Sequence, residues 1–157
     1  MTRPEMSLQN VIEATRRLIE ARFVGVLSTV DQNLAPHSRW MGAVVDGDRL
    51  DRLMSVSARG SRKLVQIRDH PKVCWLFSDA HDDEVVQISG TIRLLEDETL
   101  AGPVWEHLDQ ATRNYSMNVL SEAENLWFVG LETVVEQVEY MNPAAGLTHP
   151  VVYRLGD

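Results

Sequence analysis

Ser57-Ala58-Arg59-Gly60-Ser61-Arg62-Lys63 sets two adjacent bases directly behind a turn of small residues. The stretch before it has β character and the stretch after it has helical spacing, so the bases fall in the first turn of a helix. Ser61 is placed to cap that helix, its hydroxyl accepting an orphan amide hydrogen bond. Arg62 and Lys63 then stand beside the positive end of the helix dipole, which costs about 0.3–1 kcal/mol per charge. A bound anion reverses that sign, because free amides, dipole and side-chain charges then all point at it. Arginine offers phosphate a bidentate fork and lysine a compact point charge. The alternative is that two long bases reach into solvent from a surface helix. Arg39 is the second candidate. It lies among apolar neighbours in His37-Ser38-Arg39-Trp40-Met41-Gly42-Ala43-Val44, where a lone charge is costly. Alternation slightly favours Trp40 toward the core and Arg39 toward solvent. Gly42 admits close approach of a flat ligand, or serves packing alone.

Other chemistry is poorly supplied. His81-Asp82-Asp83-Glu84 carries metal-type ligands, but it lies between two strands and reads as a solvated hairpin loop. His37, His70, His107 and His149 show no HExxH or other ligand spacing, so no metal site is expected. The one cysteine, Cys74, excludes an internal disulfide and a cysteine-built zinc site. Within an apolar run it reads as an inert buried thiol. The chain has no GxSxG elbow, P-loop or GxGxxG fingerprint, which leaves hydrolase, NTPase and dinucleotide-dependent dehydrogenase readings without support. No general base stands out. Trp75, Trp105 and Trp127 read as core or interface residues.

The elements that must position these groups fit within one domain, 1–157. The 157 residues are 44% apolar and 24% charged, an ordinary globular composition. With 23 acids against 15 bases the net charge is −8, which argues against a nucleic-acid partner. Seven of the 15 bases nevertheless fall between Arg49 and Lys72. That is a local positive site for a small anion on a chain that repels a long one. No apolar run approaches the ~20 residues of a membrane span, and no secretory pattern opens the chain. The expectation is a soluble cytoplasmic protein.

Leu8, Val11, Ile12, Thr15, Leu18 and Ile19 recur at helical spacing, predicting an amphipathic helix over 7–21. Residues 23–30 and 34–45 read as strands, and a strand runs on through Leu50, Leu53, Met54 and Val56 after the Asp46-Gly47-Asp48 turn. Together the three make a meander. A short helix follows over 61–69, with Leu64 and Ile67 inward and a stop at His70-Pro71. Val73–Phe77 is a continuous apolar run, expected to be buried on both faces. Residues 86–94 alternate cleanly. Helical pieces are expected over 96–120, then β structure over 126–141 with a bulge near Gly130. The tail, 142–157, carries no clear signal. About six strands with helices between them make a small antiparallel barrel or sandwich of α+β class.

The helix, then "FVGVLSTVDQNLAPHSRWMGAVV", "GSRKLVQIRDHPKVCWLF" and "VVQISGTIRLLED" together resemble the pyridoxamine 5′-phosphate oxidase-like FMN-binding split β-barrel proteins, and among them the small general-stress-protein branch. The resemblance covers residues 7–97 well and 126–141 loosely. It implies a mainly β, α+β split barrel of about six strands with peripheral helices, forming a homodimer with FMN near the subunit interface. By that pattern Ser61, Arg62 and Lys63 hold the FMN phosphate with help from Arg39. Trp40, Met41 and Gly42 border the ring, Val56 and Ser57 line the phosphate-side strand, and Gln87 is a ring contact. The chain departs from the oxidases proper, which carry a substrate-binding lysine after that arginine and a C-terminal Arg-x-His. Here Arg39 is followed by Trp-Met-Gly-Ala-Val-Val and the chain ends Tyr-Arg-Leu-Gly-Asp. The implied activity is therefore a flavin-dependent oxidoreductase other than a vitamin B6 oxidase. A deazaflavin cofactor on the same scaffold, or flavin or haem binding without turnover, is the alternative.

Overall fold

The computed structural model describes residues 6–96 and 128–156. The helical pieces expected after Glu96 and through Leu120, with Trp105 and Trp127, lie outside the described residues. Helix α1 (Leu8–Arg22) starts where the Ser7 hydroxyl accepts the Asn10 amide and ends at Phe23, which turns left-handed at φ 44°. Val11, Ile12, Ala14, Thr15, Leu18 and Ile19 form its buried stripe. Leu8, expected in that stripe, is 37% exposed at the first turn.

Strands β1 (Val24–Val30) and β2 (Pro36–Gly42) form an antiparallel pair, as do β3 (Val44–Asp46) and β4 (Arg52–Ala58). Helix α2 (Arg62–Asp69) leads into β5 (Lys72–Ser78) and β6 (Val85–Leu95). After β7 (Phe128–Asn142) a one-turn 3₁₀ segment, Pro143–Ala145, leads into β8 (Leu147–Arg154). The sheet order is β2-β1-β5-β6-β7-β4-β3, with β8 added on β7. Its two ends, β2 and β3, are consecutive in the chain and separated by Ala43 alone. The sheet therefore curls until both edges share one stretch of backbone, pinned where the Ala43 amide donates to Phe23 O at 2.8 Å. This is the split antiparallel barrel of an α+β fold.

Several expectations change. The stretch 34–45 is two strands, because Ala43 is where pairing passes from β1 to β4. With β8 this makes eight strands in place of six. Leu50 belongs to the turn before β4, left-handed at φ 58° with its side chain fully buried. The apolar run of β5 is buried on one face only: Val73, Trp75 and Phe77 point inward, while Leu76 is 41% exposed and Cys74 half-buried. Burial, and then the Glu139 charge, push the Cys74 thiol up, in keeping with an inert thiol. The bulge falls away from Gly130, which pairs in register with Val56 and Leu95. It lies where Ser89 pairs with Gln137 and Gly90 with Val135, leaving Glu136 extra. Gly90 is required there, since a Cβ on it would meet Val134 O at 2.2 Å.

The interior is one apolar core centred on Trp75, Phe77, Leu27, Leu53, Ile88 and Leu131. Trp75 stacks on Phe77 with ring centroids 5.7 Å apart, and its Nε1–H donates to Thr133 Oγ1 at 3.1 Å. Helix α1 contacts β1, β3 and β5, while α2 contacts β1 and β6. Among the described residues no helix is long and apolar enough to cross a membrane.

Candidate functional site: a basic cleft beneath helix α2

Residues 37, 39 and 41 share one face of β2. Arg39 pairs in register with Leu27, and its side chain turns inward under α2, while Trp40 is 67% exposed on the outer face. This reverses the orientation that alternation favoured. Acceptors on neighbouring elements decide it. One Arg39 nitrogen, Nη1, donates to Leu27 O at 3.0 Å and to Thr29 Oγ1 at 2.9 Å. The other, Nη2, donates to Gln66 Oε1 at 3.3 Å, and Thr29 donates to the same oxygen at 2.6 Å. Burying the guanidinium is tolerable because neutral oxygens satisfy it, and none of them cancels its charge.

Ser61 is the N-cap of α2 by backbone geometry, but its hydroxyl makes no cap hydrogen bond. It accepts instead from Lys63 Nζ at 2.6 Å, which also donates to Ser57 Oγ at 3.0 Å. The first-turn amides of α2, having no intrahelical acceptor, thus lack the expected side-chain cap. Burial, reinforced by the nearby Arg39 charge, lowers the Lys63 pKa to about 8. Burial and then the Arg62 charge lower that of Arg39. His37, Ser38, Arg39, Ser61, Arg62, Lys63 and Gln66 line a cleft of about 220 Å³.

Arg16, Arg17, Arg52, Arg68, Lys72 and Arg93 each meet a carboxylate. Among the described residues Arg39, Arg62 and Lys63 have no such partner, and neither do Arg22, Arg49, Arg59 and Arg154; the first three differ in sharing one cleft. In a chain with 23 acids, these three bases line one cleft together, a concentration of positive charge that favours an anion.

The cleft thus gathers Arg39, Ser61, Arg62 and Lys63, with Ser57 joined through Lys63. The other residues proposed from sequence lie outside it. Met41 is buried in the core. Gly42, buried, pairs with Val24 at the strand end. Val56 packs with Met54 and Leu95 in a separate apolar cluster. Gln87 is on the outer face of β6, donating to Glu139 Oε2 at 3.2 Å. Sequence reasoning missed His37, Ser38 and Gln66. His37 was findable two residues from Arg39 on the same strand face, and Gln66 one helical turn beyond Arg62 and Lys63.

Comparison with known proteins follows the same lines. A protein related to general stress protein 26 from Clostridium acetobutylicum is 17% identical and aligns over 96% of this chain and 97% of its own, with a TM-score of 0.73. A putative pyridoxamine 5′-phosphate oxidase from Listeria innocua is 27% identical over 84% of this chain and 98% of its own, at 0.64. A pyridoxamine 5′-phosphate oxidase-related, FMN-binding protein from Nostoc punctiforme is 16% identical over 96% and 89%, at 0.70. No curated protein matches the chain. The family model described as pyridoxamine 5′-phosphate oxidase matches residues 11–142, and the chain belongs to that family.

Proposed function

We propose that the protein binds FMN through its terminal phosphate in the cleft beneath α2 and acts as a cytoplasmic flavin-dependent oxidoreductase on a small molecule other than a vitamin B6 vitamer. The observation that carries this is the convergence of three bases, Arg39, Arg62 and Lys63, on one cleft that brings no carboxylate against any of them. A phosphate monoester is compact, doubly charged and matched by an arginine fork with a lysine point charge. The FMN-binding relative from Nostoc punctiforme shares the fold, which supports the choice of flavin over another phosphate ester.

When bound, FMN supplies two-electron redox chemistry. The chain's own residues bind and orient. Lys63, held by Ser57 and Ser61, presents its ammonium to the phosphate. Arg39, fixed by Leu27 O, Thr29 and Gln66, backs it, and exposed Arg62 closes the open side. Trp40 follows Arg39 on the opposite, outer face of β2, outside the cleft. The proposed partner is a second copy of the chain, meeting this face. Trp40 and Leu76 are exposed there in one cross-strand row with Val26, an apolar strip that a dimer covers.

The purified protein is expected to take up one FMN per chain, to elute as a dimer, and to lose its flavin absorbance on anaerobic addition of NADH or NADPH. A stable flavin band that no reductant bleaches replaces the enzyme with a binding or sensing protein. A Soret band replaces flavin with haem, and a single-chain mass by light scattering removes the dimer.

A further inference from the structure

The cleft has a fourth side chain able to carry positive charge. His37 lies on the same face of β2 as Arg39, opposite Thr29 of β1, and it lines the cleft with Ser61, Arg62 and Lys63. Its Nε2 is 2.9 Å from Asp31 Oδ2. That carboxylate is itself immobilised, because Oδ1 accepts the amides of Asn33 at 2.8 Å and Ala35 at 3.0 Å. The His37 ring and the Ala35 amide hold the Asp31 carboxyl below the usual carboxylate range. Nδ1 of His37 has no partner among the described residues.

We propose that His37, oriented by Asp31, is a protonation-dependent donor to the ligand's phosphate, so that the site takes up a proton as it takes up a dianion. This rests on the phosphate reading of the cleft. Asp31 fixes the ring from one side and keeps the imidazolium tolerable at the rim. The other charged groups around it are Arg39 on β2 and Arg62 and Lys63 on α2, while Thr29 and Gln66 are neutral. A bound dianion beside the ring favours a proton on it. By linkage, whatever the ligand does to the proton the proton does to the ligand. A proton gained on binding therefore means tighter binding in acid. The residue is then a specificity element, selecting doubly charged phosphate and making its retention sensitive to acidity.

The test is the FMN dissociation constant of the wild type, His37→Gln and Asp31→Asn between about pH 5.5 and 7.5, below the value of about 8 at which Lys63 discharges. The ratio of wild type to His37→Gln cancels titration of the phosphate itself. At the acid end the wild type is expected to bind about tenfold more tightly, as one charge-assisted hydrogen bond allows. The two converge at the alkaline end. A ratio constant with pH overturns the proposal. In Asp31→Asn the convergence is expected to shift to lower pH, and an unmoved midpoint removes Asp31 from the mechanism. If no variant binds FMN, the flavin reading fails by itself. The same ratio is then read calorimetrically with inorganic phosphate, where a pH-independent ratio or no binding overturns the role of His37.

Discussion

Replacing Arg62 and Lys63 together by alanine is expected to weaken FMN binding by about two to three orders of magnitude while leaving the fold intact. Hydrogen bonds to charged groups contribute about 1.5–3 kcal/mol each, and each 1.4 kcal/mol is roughly tenfold in affinity. Part of the loss is recovered through water, which puts the pair near the lower end of the sum. Stability should move the other way. Arg62 is exposed and contributes no core packing. Lys63 is half-buried with its pKa lowered to about 8, so its charged form is disfavoured in the folded state. At neutral pH, below that value, removing it relieves an unfavourable charge. A melting temperature equal to or above that of the unliganded wild type, together with the lost affinity, separates binding from folding. Unchanged affinity in a folded double variant removes the phosphate assignment.

The largest structural effect is expected at Trp75. Its side chain is fully buried, stacked on Phe77 and hydrogen-bonded to Thr133. Trp75→Ala leaves a large cavity at the barrel centre and an unpaired buried hydroxyl. Changes of this kind cost about 3–5 kcal/mol, with a further ~1–3 kcal/mol for the orphaned polar group. For a domain of this size that corresponds to a fall of roughly 10 °C or more in melting temperature. Trp75→Phe keeps most of the apolar contact and loses only the Thr133 bond, so it should fall between. Calorimetry reads both. A loss under about 1 kcal/mol for Trp75→Ala would mean that the barrel interior is not the packed core described above.

How much of this was legible beforehand depended on whether local pattern or distant partners decided each feature. The stripe of α1 was visible because 3.6-residue periodicity is a local property, and so were the alternation of β6 and the basic corner before α2. The split at Ala43 was not. The apolar run from Met41 to Val45 is continuous, and only closure of the sheet makes one end pair with β1 and the other with β4. Strand β8 was hidden by Pro143, Gly146 and Pro150, which read as punctuation. The pairing tolerates Pro150 because the register jumps between Asn142–Leu147 and Tyr140–Val151, leaving that proline out of the ladder. The direction of Arg39 was likewise undecidable from its own strand. Its acceptors come from β1 and α2, elements whose positions are tertiary facts. The same holds for Ser61, whose hydroxyl serves Lys63 in preference to the cap.

FMN and riboflavin share the ring and differ in the phosphate, so their affinities for the same purified protein isolate what the cleft contributes. The account predicts that calorimetric titration finds FMN bound at least about a hundredfold more tightly than riboflavin, a gap that collapses in the Arg62→Ala, Lys63→Ala protein. Equal affinities for the two ligands in the wild type would contradict it.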